Sequence, residues 1–154
     1  MAAPHAEPHW AAPPRRLPPA RRLRPGERAR LAAEIVAAYL QARRELRRAP
    51  IESAIAALRS EIAPARLAAA GGELAEAQRL GWVVTRTLRL MPGDTRCLAR
   101  SLVLTRLLAR RGIPAKLVIG ARAAPAFLAH AWVEYDGQPV LSPGDGSFGR
   151  LVEL

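Results

Sequence analysis

Two residues in this chain have the chemistry for a nucleophile and its base: Cys97, the only cysteine, and His130, the only histidine outside the N-terminal segment. Cys97 follows Asp94 in a segment that reads as the start of a helix, with Asp94 suited to cap the free amides. Amides in a first helical turn are unpaired and the helix dipole favours negative charge there. A thiol so placed is more readily a thiolate, the nucleophilic form. The same amides suit the oxyanion of a tetrahedral intermediate, and Arg96 and Arg100 add positive charge. His130 lies between Ala129 and Ala131 in an alternating, strand-like segment, and small neighbours leave room around an imidazole. Read singly, Cys97 is a small buried hydrophobe and His130 a hydrogen-bonded core histidine. Read together, a helix-start thiol and a strand imidazole form a thiolate–imidazolium pair. The imidazole would take the thiol proton and later return it to a leaving group.

The elements that must position this pair follow from periodicity. Leu31, Ile35, Tyr39, Ala42 and Leu46 mark one face of a helix over 25–48, stopped by Pro50. Ile51, Ile55, Leu58 and Ile62 mark a second helix, ended by Pro64. After Gly71 and Gly72, a third helix is marked by Leu74, Ala77, Leu80, Val84 and Leu88. The cysteine helix buries Leu98, Leu102, Leu104, Leu107 and Leu108, and ends at Gly112 with Pro114 just beyond. Its arginines, Arg96, Arg100, Arg106 and Arg110, read as a basic, largely solvated stripe. Strands follow over 116–121, 127–135 and 138–142, with Asp136-Gly137 as a hairpin signal. The fold class is α+β.

The chain has 154 residues, half of them hydrophobic, enough for one domain with a real core. Seven prolines among the first 25 residues block helix. Residues 1–24 therefore read as a disordered Pro/Arg-rich arm, and 25–154 as a single domain with a helical part, 25–90, and a catalytic core, 91–154. His5 and His9, four apart among these prolines, read as part of a solvated tail rather than as metal ligands. The net charge is +11, nearly all arginine, which suits acidic partners but also follows from nucleotide bias in composition. No stacking aromatics interleave with the basic residues, so nucleic acid is not the expected partner. A lone cysteine gives no disulfide, and neither a signal peptide nor a membrane span is apparent. A cytoplasmic location without membrane insertion is the expectation. No phosphate-binding loop is present, so neither cofactor nor metal is expected.

The segments GDTRCL at 93–98 and AHAWVE at 129–134 resemble the transglutaminase-like cysteine hydrolases. More narrowly, RCLARSLVLTRLLARRGIPAKLVIGAR followed by FLAHAWVEYDGQPV resembles the leader peptidases of lasso-peptide biosynthesis. The resemblance implies helices preceding a transglutaminase-like core, in which the cysteine helix packs on a short antiparallel sheet. It implies a Cys-His-acid triad and cleavage of the leader from a ribosomally made precursor peptide. It also implies as partners a leader-recognition protein and a separate ATP-dependent lasso cyclase. Cys97 and His130 match the first two triad members. Asp136 sits in the turn, about 20 Å from His130 along an extended strand. A three-residue loop over 135–137 would instead pair Glu134 with Gln138 and set Ser142, a neutral residue, opposite His130. Asp145 is the carboxylate just beyond and is the expected third member. Two further readings stay open: a transglutaminase or deamidase acting on protein glutamine, and a non-catalytic binding protein that retains the fold.

Overall fold

A computed structural model of the chain describes residues 24–48, 50, 53, 72–91 and 97–154. Helix α1 spans Pro25–Arg48, α2 spans Glu73–Leu88 and α3 spans Cys97–Arg110. Strands β1 (Lys116–Arg122), β2 (Leu128–Tyr135), β3 (Gln138–Pro139) and β4 (Gly149–Glu153) form one antiparallel sheet in the order β3-β2-β1-β4. The architecture is α+β, with Cys97 on a helix packed against the sheet. All of the expected arm at 1–24 except Arg24, the expected cap Asp94 and all of the expected second helix except Ser53 lie outside the described residues.

Local chemistry accounts for the helix ends. Pro25 opens α1 where its missing amide hydrogen is no loss, and Glu27 accepts the Arg24 backbone N–H at 2.8 Å. At the end of α3, Gly112 has φ 73°. Its N–H reaches Ala109 O, and the Ile113 N–H reaches Leu108 O, both at 2.9 Å. This is the Schellman pattern, sealed by the buried side chain of Ile113.

Helix α3 is buried from Ser101 through Ala109, because α1 and α2 cover one side and the sheet the other. Leu102, Leu104, Leu107 and Leu108 meet Ile35, Tyr39, Leu80 and Val84 from the other helices and Leu117 and Val133 from the sheet in one core. Full burial of each such side chain is worth about 1.5–3 kcal/mol. Arg106 departs from the expected solvated stripe: it is 1% exposed, because a helix enclosed on both sides has no solvent face at its middle turns.

The hairpin register also differs from expectation. Glu134 pairs with Pro139 and Tyr135 with Gln138, so the loop has two residues rather than three. Asp136 and Gly137 have φ 48° and 70°, both left-handed, as a two-residue loop matched to strand twist requires. β3 then ends early. The Val140 and Leu141 N–H groups both donate to Val133 O, at 2.8 and 3.2 Å, a bulge that turns the chain out of the ladder. Strand β4, which the sequence pattern does not mark, adds to the far side of β1, and Leu154 extends its ladder through two bonds with Leu117.

Candidate functional site

Strand alternation divides β2 into two faces. Ala131 and Val133 belong to the core beneath the helices, while His130, Trp132 and Glu134 share the other face. Carbonyls also alternate in direction along a strand. Val133 O points toward β3, where it meets Val140 and Leu141, so Ala131 O points to the same edge, beyond the point where β3 stops. Ser101 fills that gap: its Oγ–H donates to Ala131 O at 3.1 Å. Cys97 stands one turn before Ser101, about 6 Å along the axis, half-buried against the core. The start of α3 therefore meets β2 at its open edge, beside the residue that carries the imidazole.

The His130 ring reaches over the same edge. Its Nε2 lies 3.0 Å from the backbone carbonyl oxygen of Ser142. A carbonyl only accepts, so this bond requires the proton on Nε2 and leaves Nδ1 as the basic nitrogen. The ring neighbours two aromatics: Trp132, centroids 6.0 Å apart and nearly parallel at 19°, and Phe148, 5.2 Å apart and tilted by 34°. No hydrogen bond joins Cys97 and His130 among the described residues; thiol–base bonds often tighten only when substrate is bound.

The three candidates for the acid fall in different places. Asp136 is in the exposed turn. The Ser142 hydroxyl accepts the Gly144 N–H at 3.2 Å, so this residue meets His130 through its main chain, not its side chain. The Asp145 carboxylate accepts the Ser147 N–H and hydroxyl and pairs with Arg122 at 3.2 Å. The Ser147 hydrogen bonds, with Arg122 adding to them, hold this carboxyl below the usual carboxylate range. No carboxylate hydrogen-bonds to His130 among the described residues; its partner there is the Ser142 carbonyl oxygen.

A family model of the transglutaminase-like superfamily matches residues 16–153. The chain belongs to that superfamily. No curated protein and no solved structure matches it. Transglutaminase-like proteins are typically cysteine hydrolases or transglutaminases, and here the one cysteine opens the helix packed on the sheet.

Several residues around this transglutaminase-like site are not singled out from the sequence. Ser101 ties the cysteine helix to the histidine strand, Phe148 walls the imidazole, and Arg122 sits 5.5 Å over the Phe148 ring while pairing with Asp145. Arg150, on the unanticipated β4, makes a two-pronged pair with Glu134 at 2.9 and 3.1 Å. Of these, Ser101 alone has a signal that could have found it: a hydroxyl one helical turn after Cys97, on the same face. Among the described residues no group of three or more His, Cys, Asp or Glu side chains is arranged to hold a metal ion, and no helix is long and apolar enough to cross a membrane.

Proposed function

We propose that this protein is a cysteine peptidase that removes the leader from a lasso-peptide precursor. The observation that carries the reading is the junction of the Cys97 helix with the open edge of the His130 strand, held by Ser101 to Ala131 O. The matched superfamily and the two quoted segments supply the reaction class. In the proposed cycle, Nε2–H stays on the Ser142 carbonyl while Nδ1 takes the Cys97 proton. The thiolate attacks the scissile carbonyl carbon, and the tetrahedral oxyanion collapses to a thioester. The imidazolium protonates the departing amine. Water, deprotonated by the same Nδ1, then releases the leader acid and regenerates the thiol. The precursor would arrive on a leader-recognition protein and pass to a separate ATP-dependent cyclase, all in the cytoplasm. This chain would supply no cofactor.

The test is cleavage of a precursor by the purified protein with its leader-binding partner, followed by mass spectrometry. Cys97→Ala and His130→Ala should each abolish cleavage with the fold intact. The double variant should be little worse than either, because nucleophile and base act as a unit. Full activity in Cys97→Ala would refute the mechanism. A second reading, a binding protein that retains the fold, is favoured by the uncharged partner of His130. It predicts precursor binding with no cleavage even in the unmodified protein. Release of ammonia from a glutamine substrate would instead mark a transglutaminase or deamidase.

A further inference from the structure

Among the described residues the imidazole of His130 has a single hydrogen bond, to Ser142 O. One bond sets a direction but leaves the ring free to tilt about it, and a neutral carbonyl holds it less firmly than a carboxylate would. Its orientation must then come from the aromatic rings beside it. One of these, Trp132, is 3% exposed, and its Nε1–H donates to Glu134 at 2.7 Å. Glu134 is 8% exposed. A carboxylate so buried requires partners, and beside the indole it has the fork of Arg150. Arg150 is placed to supply it by register. It pairs with Gly120 across β1, and Gly120 pairs with His130, so Arg150 and His130 flank the same glycine on one face. The indole lies across that glycine: a Cβ there would come within 2.9 Å of two ring carbons and within 2.7 Å of Gly149 O. Gly120 thus leaves the space in which Trp132 lies flat beside the imidazole.

We infer that Glu134 and Arg150 are positioning residues for His130: the Arg150–Glu134 pair fixes the Trp132 indole, and the indole fixes the plane of the imidazole. Arg150 by this route acts on the imidazole from β4, on the far side of β1. The inference rests on His130 acting as the base of the proposed peptidase, and the experiment separates the two ideas.

The variant is Arg150→Met, which keeps the stem of a half-exposed side chain and removes the fork. With three histidines in the chain, the His130 imidazole is assigned in a long-range proton–nitrogen correlation spectrum by its loss in His130→Ala. In the unmodified protein it should appear as the Nε2–H tautomer, with ring protons shifted by the indole. In Arg150→Met those shifts should move and the tautomers mix. Alkylation of Cys97 by iodoacetamide should slow, and kcat for precursor cleavage should fall roughly tenfold to a hundredfold at unchanged KM. Arg150→Lys, which keeps the charge without the fork, should lie between. Glu153→Gln, which removes the carboxylate charge that Arg150 and Lys116 share but leaves the Arg150–Glu134 fork in place, should match the unmodified protein. Glu134→Gln, which keeps an acceptor for the indole but no charge for Arg150, is the second variant should Arg150→Met fail to fold. It should move the same signals in the same direction. Unchanged imidazole signals and an unchanged alkylation rate in a folded variant would overturn the inference. An unmodified protein that fails to cleave would overturn the peptidase reading alone, since the imidazole signals and alkylation rates still decide the positioning.

Discussion

Replacing Ser101 with alanine tests the joint between the two halves of the site. Ser101 is 0% exposed and its hydroxyl is the donor to Ala131 O, on the edge that β3 does not cover. A typical hydrogen bond contributes about 1 kcal/mol net, and a buried acceptor left without a partner raises the cost to about 1–3 kcal/mol. Alanine's better helix propensity returns up to about 0.7 kcal/mol. The expected net loss is about 1–2 kcal/mol. For a domain of this size each kcal/mol is worth about 2–4 °C in Tm, so Tm should fall by roughly 2–8 °C. Thermal unfolding followed by circular dichroism measures this, and a urea titration with unchanged slope would confirm that only stability has moved. Alkylation of Cys97 should change in the same variant, because the lost bond ties α3 to β2 one helical turn from the thiol. An unchanged Tm together with an unchanged alkylation rate would mean that α3 does not depend on this contact and that Ser101 does not set the distance between Cys97 and His130.

Two further outcomes follow from the geometry. Asp145→Ala should leave turnover within about threefold of the unmodified protein, equivalent to less than about 0.7 kcal/mol in the barrier, because its carboxylate engages Ser147 and Arg122. A loss of about tenfold or more in the cleavage assay would show that Asp145 turns to His130 during the reaction. The Tyr135 phenol donates to Glu73, which raises its pKa above the ordinary 10.0. A group raised in the folded state stabilises fully below its unfolded value and loses that contribution as pH rises through the folded one. Urea midpoints should therefore decline above pH 10 through this group, and Tyr135→Phe should lack that component; identical alkaline profiles would refute the link between α2 and the hairpin.

Much of the scaffold is legible in the order of residues alone. Leu31, Ile35, Tyr39 and Ala42 recur at helical spacing and are the buried face of α1. Ala77, Leu80, Val84 and Leu88 do the same in α2. Gly112 stops α3 where a left-handed residue is needed, and Asp136-Gly137 marks the hairpin. That a cysteine opens a helix and a histidine lies in a strand is legible too, because each depends on its own local element.

The register of the hairpin is not legible in this way. Asp-Gly serves both two- and three-residue loops, and the choice moves every later residue relative to His130. That is why the sequence points to side chains at 142 and 145, whereas a peptide carbonyl, which every residue carries, meets the imidazole. β4 leaves no trace in the pattern because its five exposed residues have no buried face to impose a period, and its place beside β1 is a long-range choice. The burial of Arg106 and the reach of Arg150 over β1 to Glu134 have the same origin. Periodicity and turn chemistry are properties of neighbouring residues and determined the helices and the hairpin. Register, edges and charge partners depend on which surfaces exclude water together, and only the packed chain decided them.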